Sequence, residues 1–338
     1  MKYIYVNSYS GKKLSDTDSM SMSKQPTHYS SSATILIIAG LSFFGAEILT
    51  GSTSVEGILQ YPVSFLIGLA FYGFQVTMIA DISVRYTLKL GTIYILGLFY
   101  GTLEEGISIF TMEATSTHKL WLTAFGFNLT WTIYVMMLHA VITVITTLFI
   151  LNVVWPQRLK NPILSRRNYM VIIPVTIVIY YFLMVASISA GRVPGILPVI
   201  LIVLLLLILI LAAWKNSLSS RFRRLERLSD QLGNGVLILF AAGMILPFTF
   251  GNRIPIILVP ETLALLLLLV YLFRYFNKFD TISNLNRKSL WEFSSIILII
   301  MLIGGSFNRT IPSDMAAIII CVILILLGYS KVMVIKDK

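Results

Sequence analysis

The sequence predicts an all-α fold, a polytopic membrane bundle of about ten transmembrane helices with both termini on the cytoplasmic side. Three observations predict it. Hydrophobic residues make up 57% of the 338 and charged residues only 12%, where soluble domains carry roughly 25% charged. The apolar residues come in runs long enough to cross a bilayer, not in amphipathic stripes. Lys and Arg are abundant in every second segment between those runs and sparse in the others. A soluble fold of this length could not bury so much apolar chain.

Residues 1–32 are polar and serine-rich. They have no apolar core near the start that would suit a signal peptide, and they read as a flexible cytoplasmic tail. Apolar spans follow at 33–50, 58–82, 89–112, 122–154, 168–188, 196–214, 234–250, 254–274, 289–306 and 312–330. The fourth is too long for one crossing, since a core of about 30 Å needs about 20 residues at 1.5 Å each. Its crossing part is placed at 133–154, stopped by Trp155-Pro156, behind an interfacial extension. Residues 33–156 read as a four-helix unit and 168–330 as three helical hairpins. The outer turns of those hairpins echo one another: Gly191-Arg192-Val-Pro194, Asn252-Arg253-Ile-Pro255 and Asn308-Arg309-Thr-Ile-Pro312. Each sets a lone Arg before a Pro that can open the next helix.

The charges orient the bundle. The tail, 83–90, 155–168, 215–233, 274–288 and the C-terminal end together hold 22 of the 26 Lys and Arg. The alternate loops hold Lys119, Arg192, Arg253 and Arg309, and no span contains a basic residue except at its cytoplasmic end, Lys89 and Arg274. The net charge of +11 therefore reads as topology and contact with anionic lipid heads, not with nucleic acid. A basic interfacial helix is expected at 216–230, with Arg221, Arg223, Arg224 and Arg227 on the lipid surface of the cytoplasmic face. The single cysteine, Cys321, excludes an intramolecular disulfide and a multi-cysteine metal centre. No phosphate loop, nucleophile elbow or His-rich metal spacing appears, so neither a metal nor a cofactor is expected.

Ionisable residues inside a membrane cost about 2.5–3.5 kcal/mol each and usually have a partner or a task. The candidates are Glu47, Glu104, Glu105, His139 and Glu261, and the orientation places all five in the outer half of the bilayer. Gly97, Gly101, Glu104, Ser108 and Thr111 share a face of the third span that admits close packing. Asn128, Thr132, His139, Thr143 and Thr146 form a polar stripe on the fourth. Consecutive helices usually pack side by side, so the Glu104/Glu105 pair is expected to meet His139. Two adjacent carboxylates in a low dielectric cannot both ionise easily, and a neighbouring imidazolium would hold one of them charged. Such a cluster could do acid–base work, relay protons or bind a cation. Glu47, Glu105, His139 and Glu261 are the candidates for ion or proton binding.

Two resemblances attach to these residues. Glu104-Glu105 on one membrane helix and His139 on a later one resemble the glutamate-type intramembrane proteases that process CAAX proteins and bacteriocins. That resemblance implies a hydrolytic water handled by Glu104, Glu105 and His139. Ile109 stands where the family's first motif has Arg, Val135 where its second has Phe, and no histidine follows position 139. Ala46-Glu-Ile-Leu-Thr-Gly-Ser52, Tyr100-Gly-Thr-Leu-Glu-Glu-Gly106 and Leu138-His-Ala-Val141 resemble segments of a group of uncharacterised prokaryotic multi-span membrane proteins, over about residues 40–156. This implies a prokaryotic plasma membrane. Three functions are expected, in order: a proton- or cation-coupled transporter, a glutamate-type hydrolase, and a structural or assembly subunit. Protein partners stay open.

Overall fold

The computed structural model describes residues 31–113, 122–218, 258–279, 281–306 and 309–333. The seventh span at 234–250, the Arg253 turn and the basic segment with Arg221, Arg223, Arg224 and Arg227 lie outside them, as do Lys119, residues 1–30 and Asn308. Among the described residues the chain is helical apart from loops and one small hairpin.

Among the described residues eight helices are long and apolar enough to cross a membrane. They are α1 (Ser31–Ile48), α3 (Pro62–Arg85), α5 (Leu129–Val154), α6 (Arg166–Ser189), α7 (Ile196–Leu218), α8 (Leu258–Phe276), α9 (Arg287–Gly305) and α10 (Ile311–Met333). A short helix, α2 (Val55–Gln60), joins α1 to α3. Helix α4 (Leu90–Thr102) continues without a break through Leu103–Ser108 and is the third span; Glu104 and Glu105 lower its hydropathy. With α4, the described helices correspond to nine of the ten spans expected.

Capping sets the helix starts. Ser54 accepts from Gly57 N, Asn286 from Lys288 N, and Ser165 with Asn168 forms a capping box on α6. Pro62 opens α3, where its missing N–H costs nothing. One boundary differs from the sequence reading. The extension before the fourth span is not helical, and α5 begins at Leu129, not 133. Strands β1 (Thr123–Ala124) and β2 (Phe127–Asn128) pair antiparallel around a turn at Phe125-Gly126, both with positive φ. Asn128 then caps α5 by accepting from Trp131 N at 3.3 Å. The turn chemistry of Gly126 and the Asn cap outweigh the apolar run.

Helix α5 is the axis of the bundle: 94% of its apolar window is buried, against 22% for α6 and for α7. A helix apolar all round is a central one. Helices α6 and α7 turn Ile177, Phe182, Leu207 and Leu211 outward, as lipid-facing helices do. Helix α4 lies against α5 through Gly97 and Gly101. An added Cβ at Gly97 would come within 2.6 Å of Ala140 Cα, and at Gly101 within 2.9 Å of His139 Cβ. Small residues let two backbones approach where no hydrophobic force between helices helps. Helices α7 and α8 pack on α4, and α9 and α10 on the last turns of α5.

At the far end of α3, fully buried Asp81 fastens the segment after α5. It accepts from Ile163 N at 2.6 Å, Leu164 N at 2.8 Å, Tyr169 OH at 2.8 Å and Arg85 Nε at 3.0 Å. Paired and fully hydrogen-bonded, a carboxylate can be kept out of water.

Candidate functional site

Three of the central helices carry a π-turn, at Phe44–Ile48 in α1, Leu103–Ser108 in α4 and His139–Thr146 in α5. Each holds one of the ionisable candidates: Glu47, the Glu104/Glu105 pair, and His139. A π-turn inserts one residue, redirects the side chains after it and occurs often at functional sites. Here the three redirect four ionisable side chains to one place.

The contacts form a continuous chain. Glu47 Oε1 lies 2.5 Å from Tyr72 OH, which lies 2.6 Å from Glu104 Oε1. Glu104 Oε2 is 3.5 Å from His139 Nδ1, and His139 Nε2 is 3.2 Å from Glu105 Oε1. The ends are tied by threonines: Thr53 donates to Glu47 Oε2 at 2.5 Å, and Thr111 donates to Glu105 Oε2. Thr143, one turn along α5, is 3.2 Å from His139 Nδ1. Glu104 is 2% exposed and His139 3%. The rings of Tyr72 and His139 are stacked at 6.3 Å, and Tyr100 meets His139 edge-on at 5.3 Å.

Hydrogen counting limits what this chain can be. A neutral imidazole has one N–H and one bare nitrogen. With its proton on Nε2, His139 donates to Glu105 Oε1 and its bare Nδ1 can accept from the Thr143 hydroxyl, so the neutral ring is satisfied. Tyr72 is different: its single O–H cannot donate to both Glu47 and Glu104, and the second contact needs a protonated carboxyl. In this geometry the Glu47–Tyr72–Glu104 link takes one proton more than the phenol itself supplies.

These groups line one cavity of about 810 Å³, together with Thr111, Trp131, Tyr134 and Arg192. Arg192 donates to Ile109 O at 3.2 Å. Glu113 sits beside the hairpin, outside the spans. Burial pushes its carboxyl above the usual carboxylate range, although Gly195 N donates to it.

The structure thus brings Glu47, Glu104, Glu105 and His139 together. Glu261 is not with them. It is buried in the first turn of α8, beside the Thr262–Thr130 hydrogen bond that joins α8 to α5, and it does not line the cavity. Among the described residues its carboxyl oxygens have no hydrogen-bond partner. Its inclusion with the cavity acids is corrected: a similar depth along the bundle axis does not place residues on the same side of α5. Sequence reasoning missed Tyr72 and Thr53. Gln75, the next polar group one turn along the same apolar helix, is also buried and accepts from Tyr180 OH at 2.5 Å.

The fold and the cavity define a class: a polytopic, all-helical membrane protein whose central helices enclose a carboxylate–imidazole cluster. The chain belongs to an uncharacterised membrane protein family, whose model matches residues 36–336. No curated protein and no solved structure matches it. The likeness to glutamate-type intramembrane proteases finds no support in these comparisons.

Proposed function

We propose that this protein is a proton- or cation-coupled carrier, and that the Glu47–Tyr72–Glu104–His139–Glu105 chain is its coupling site. The observation that carries the proposal is the Tyr72 hydroxyl, whose one proton stands between carboxyl oxygens of Glu47 and Glu104 and leaves a place for one more. A site that takes an extra proton, at the wall of a cavity, is suited to loading and releasing that charge. Charge distribution supports an outward-facing cavity, with both termini in the cytoplasm and the basic segments on anionic lipid heads. The test is cation and proton flux into proteoliposomes, wild type against Glu105→Gln. Flux in the wild type and at least tenfold less in the variant is the expected result. Equal flux in both, or none in either, overturns the proposal.

A second reading rests on the cavity's size. About 810 Å³ is far more than an ion needs and suits a small molecule or a stretch of peptide. In that reading Glu104, Glu105 and His139 activate a water for hydrolysis in the membrane. It requires His139→Ala to stop cleavage of a membrane peptide while the protein still folds. A knockout strain that accumulates no precursor peptide counts against it.

A further inference from the structure

We infer that Glu104, Glu105 and His139 form a binding site for one divalent transition metal ion of the Zn²⁺ or Mn²⁺ type. One ligand atom from each residue lies within 4.8 Å of the others. Metal bonds of about 2.0–2.2 Å bring tetrahedral ligand atoms to about 3.4 Å from one another. Side-chain rotations therefore suffice to close the set. The independent sign is Glu104 Oε2. It belongs to a residue 2% exposed, has no hydrogen-bond partner among the described residues, and lies 3.5 Å from His139 Nδ1.

Each candidate ligand is also held from behind, the usual requirement for a metal ligand. Tyr72 OH fixes the other oxygen of Glu104, and Thr111 the other oxygen of Glu105. With Nδ1–H donated to Thr143 Oγ1, His139 presents Nε2 to the metal, beside Glu105 Oε1 at 3.2 Å. The donor set selects the metal class. One imidazole nitrogen with carboxylates suits borderline divalent ions; Na⁺, K⁺ and Ca²⁺ prefer oxygen alone. Three protein ligands with the fourth position toward the cavity make an exchangeable site, not a closed structural one. Helical spacing pointed to the meeting of these three residues but not to a metal, because ligands from two helices joined only by packing leave no metal-binding spacing in the sequence.

The assignment rests on the cation reading above and narrows it to one chemical class. The test is calorimetric titration of detergent-purified, chelator-treated protein with ZnCl₂ and MnCl₂, with CaCl₂ and NaCl as controls. One equivalent should bind, insensitive to excess Na⁺. Glu105→Gln and His139→Gln should each weaken it at least tenfold. Co²⁺ bound in its place should show visible absorption bands that Zn²⁺ abolishes. Thr143→Ala keeps every ligand, guards against misfolded ligand variants, and should weaken binding about tenfold. No binding at micromolar metal, or binding unchanged in all three variants, overturns the site. Metal bound without flux retains the site and removes the carrier; Glu105-dependent proton flux without metal binding does the reverse.

Discussion

Tyr72 offers the most selective single-atom test of the cluster. Its hydroxyl is the contact between Glu47 on α1 and Glu104 on α4, at 2.5 and 2.6 Å. Tyr72→Phe keeps the ring packed against Phe43, Phe71 and Tyr100 and deletes the hydroxyl alone. A buried oxygen of Glu104 and a half-buried one of Glu47 then lose a partner, at a cost of about 1–3 kcal/mol. Thermal unfolding in detergent should show the loss, and flux should fall with it. A melting point and flux equal to wild type would show that Tyr72 does not couple the two acids. The hydroxyl was not legible in the sequence, since an aromatic in an apolar span reads first as packing. The acids and His139 were legible for the opposite reason, being costly where they stand. That cost does not name a neighbour, and so Glu261 was grouped with the others by depth although it does not line their cavity. The threonines that orient the cluster were half legible: Thr143 fell on the polar stripe of the fourth span, and Thr53 lies outside any helix.

At the scale of elements, the hairpin turns of the C-terminal half close the helices that carry the acids. Leu49 and Ile109 are the residues that end the π-turns of α1 and α4. Arg309 Nη1 donates to Leu49 O at 2.6 Å, and Arg192 Nη1 to Ile109 O at 3.2 Å. A guanidinium suits a helix C-terminus, where unpaired carbonyls and the negative end of the dipole meet. The Arg-x-Pro echo thus has a physical counterpart in two of its three turns; the third lies outside the described residues. Arg309 is held by Asp314 at 2.7 Å and donates to Leu302 O as well. Arg309→Gln should therefore loosen the stretch 49–53, which lines the cavity through Thr50, Gly51 and Ser52. Hydrogen bonds from a charged donor contribute about 1.5–3 kcal/mol. Hydrogen exchange should speed up in a peptide covering residues 44–56, with stability lower by a similar amount. Unchanged exchange there would separate the turn from the cavity. The π-turns themselves were invisible in the sequence. One inserted residue leaves an apolar run apolar, and only the direction of the side chains after it changes.

For the whole molecule, the remaining question is which way it sits in the membrane. Span lengths were readable because a bilayer imposes one length on every crossing. Most helix ends fall within a few residues of the expected ones; α5 departs because a hairpin and an Asn cap took the place of an apolar extension. Orientation depends instead on charge. The segments holding 22 basic residues all lie on one side only if the chain crosses ten times, and that alternation calls for the span expected at 234–250, which lies outside the described residues. Without it, Arg287, Lys288 and Lys331 would fall on the side opposite Arg85 and Arg158, and the alternation would fail. Single cysteines in a Cys321→Ala background test this in intact cells, Cys321 itself being buried. A cysteine at Lys119 or Arg192 should react with a membrane-impermeant maleimide from outside. One at Lys160 or Lys278 should react only after the membrane is opened. The same reagent locates the mouth of the cavity, because Ser52 and Arg192 line it. Ser52→Cys should therefore label from outside together with Lys119→Cys. Labelling of Ser52→Cys only in opened cells would turn the bundle over, and with it the side from which the Glu/Glu/His cluster is loaded.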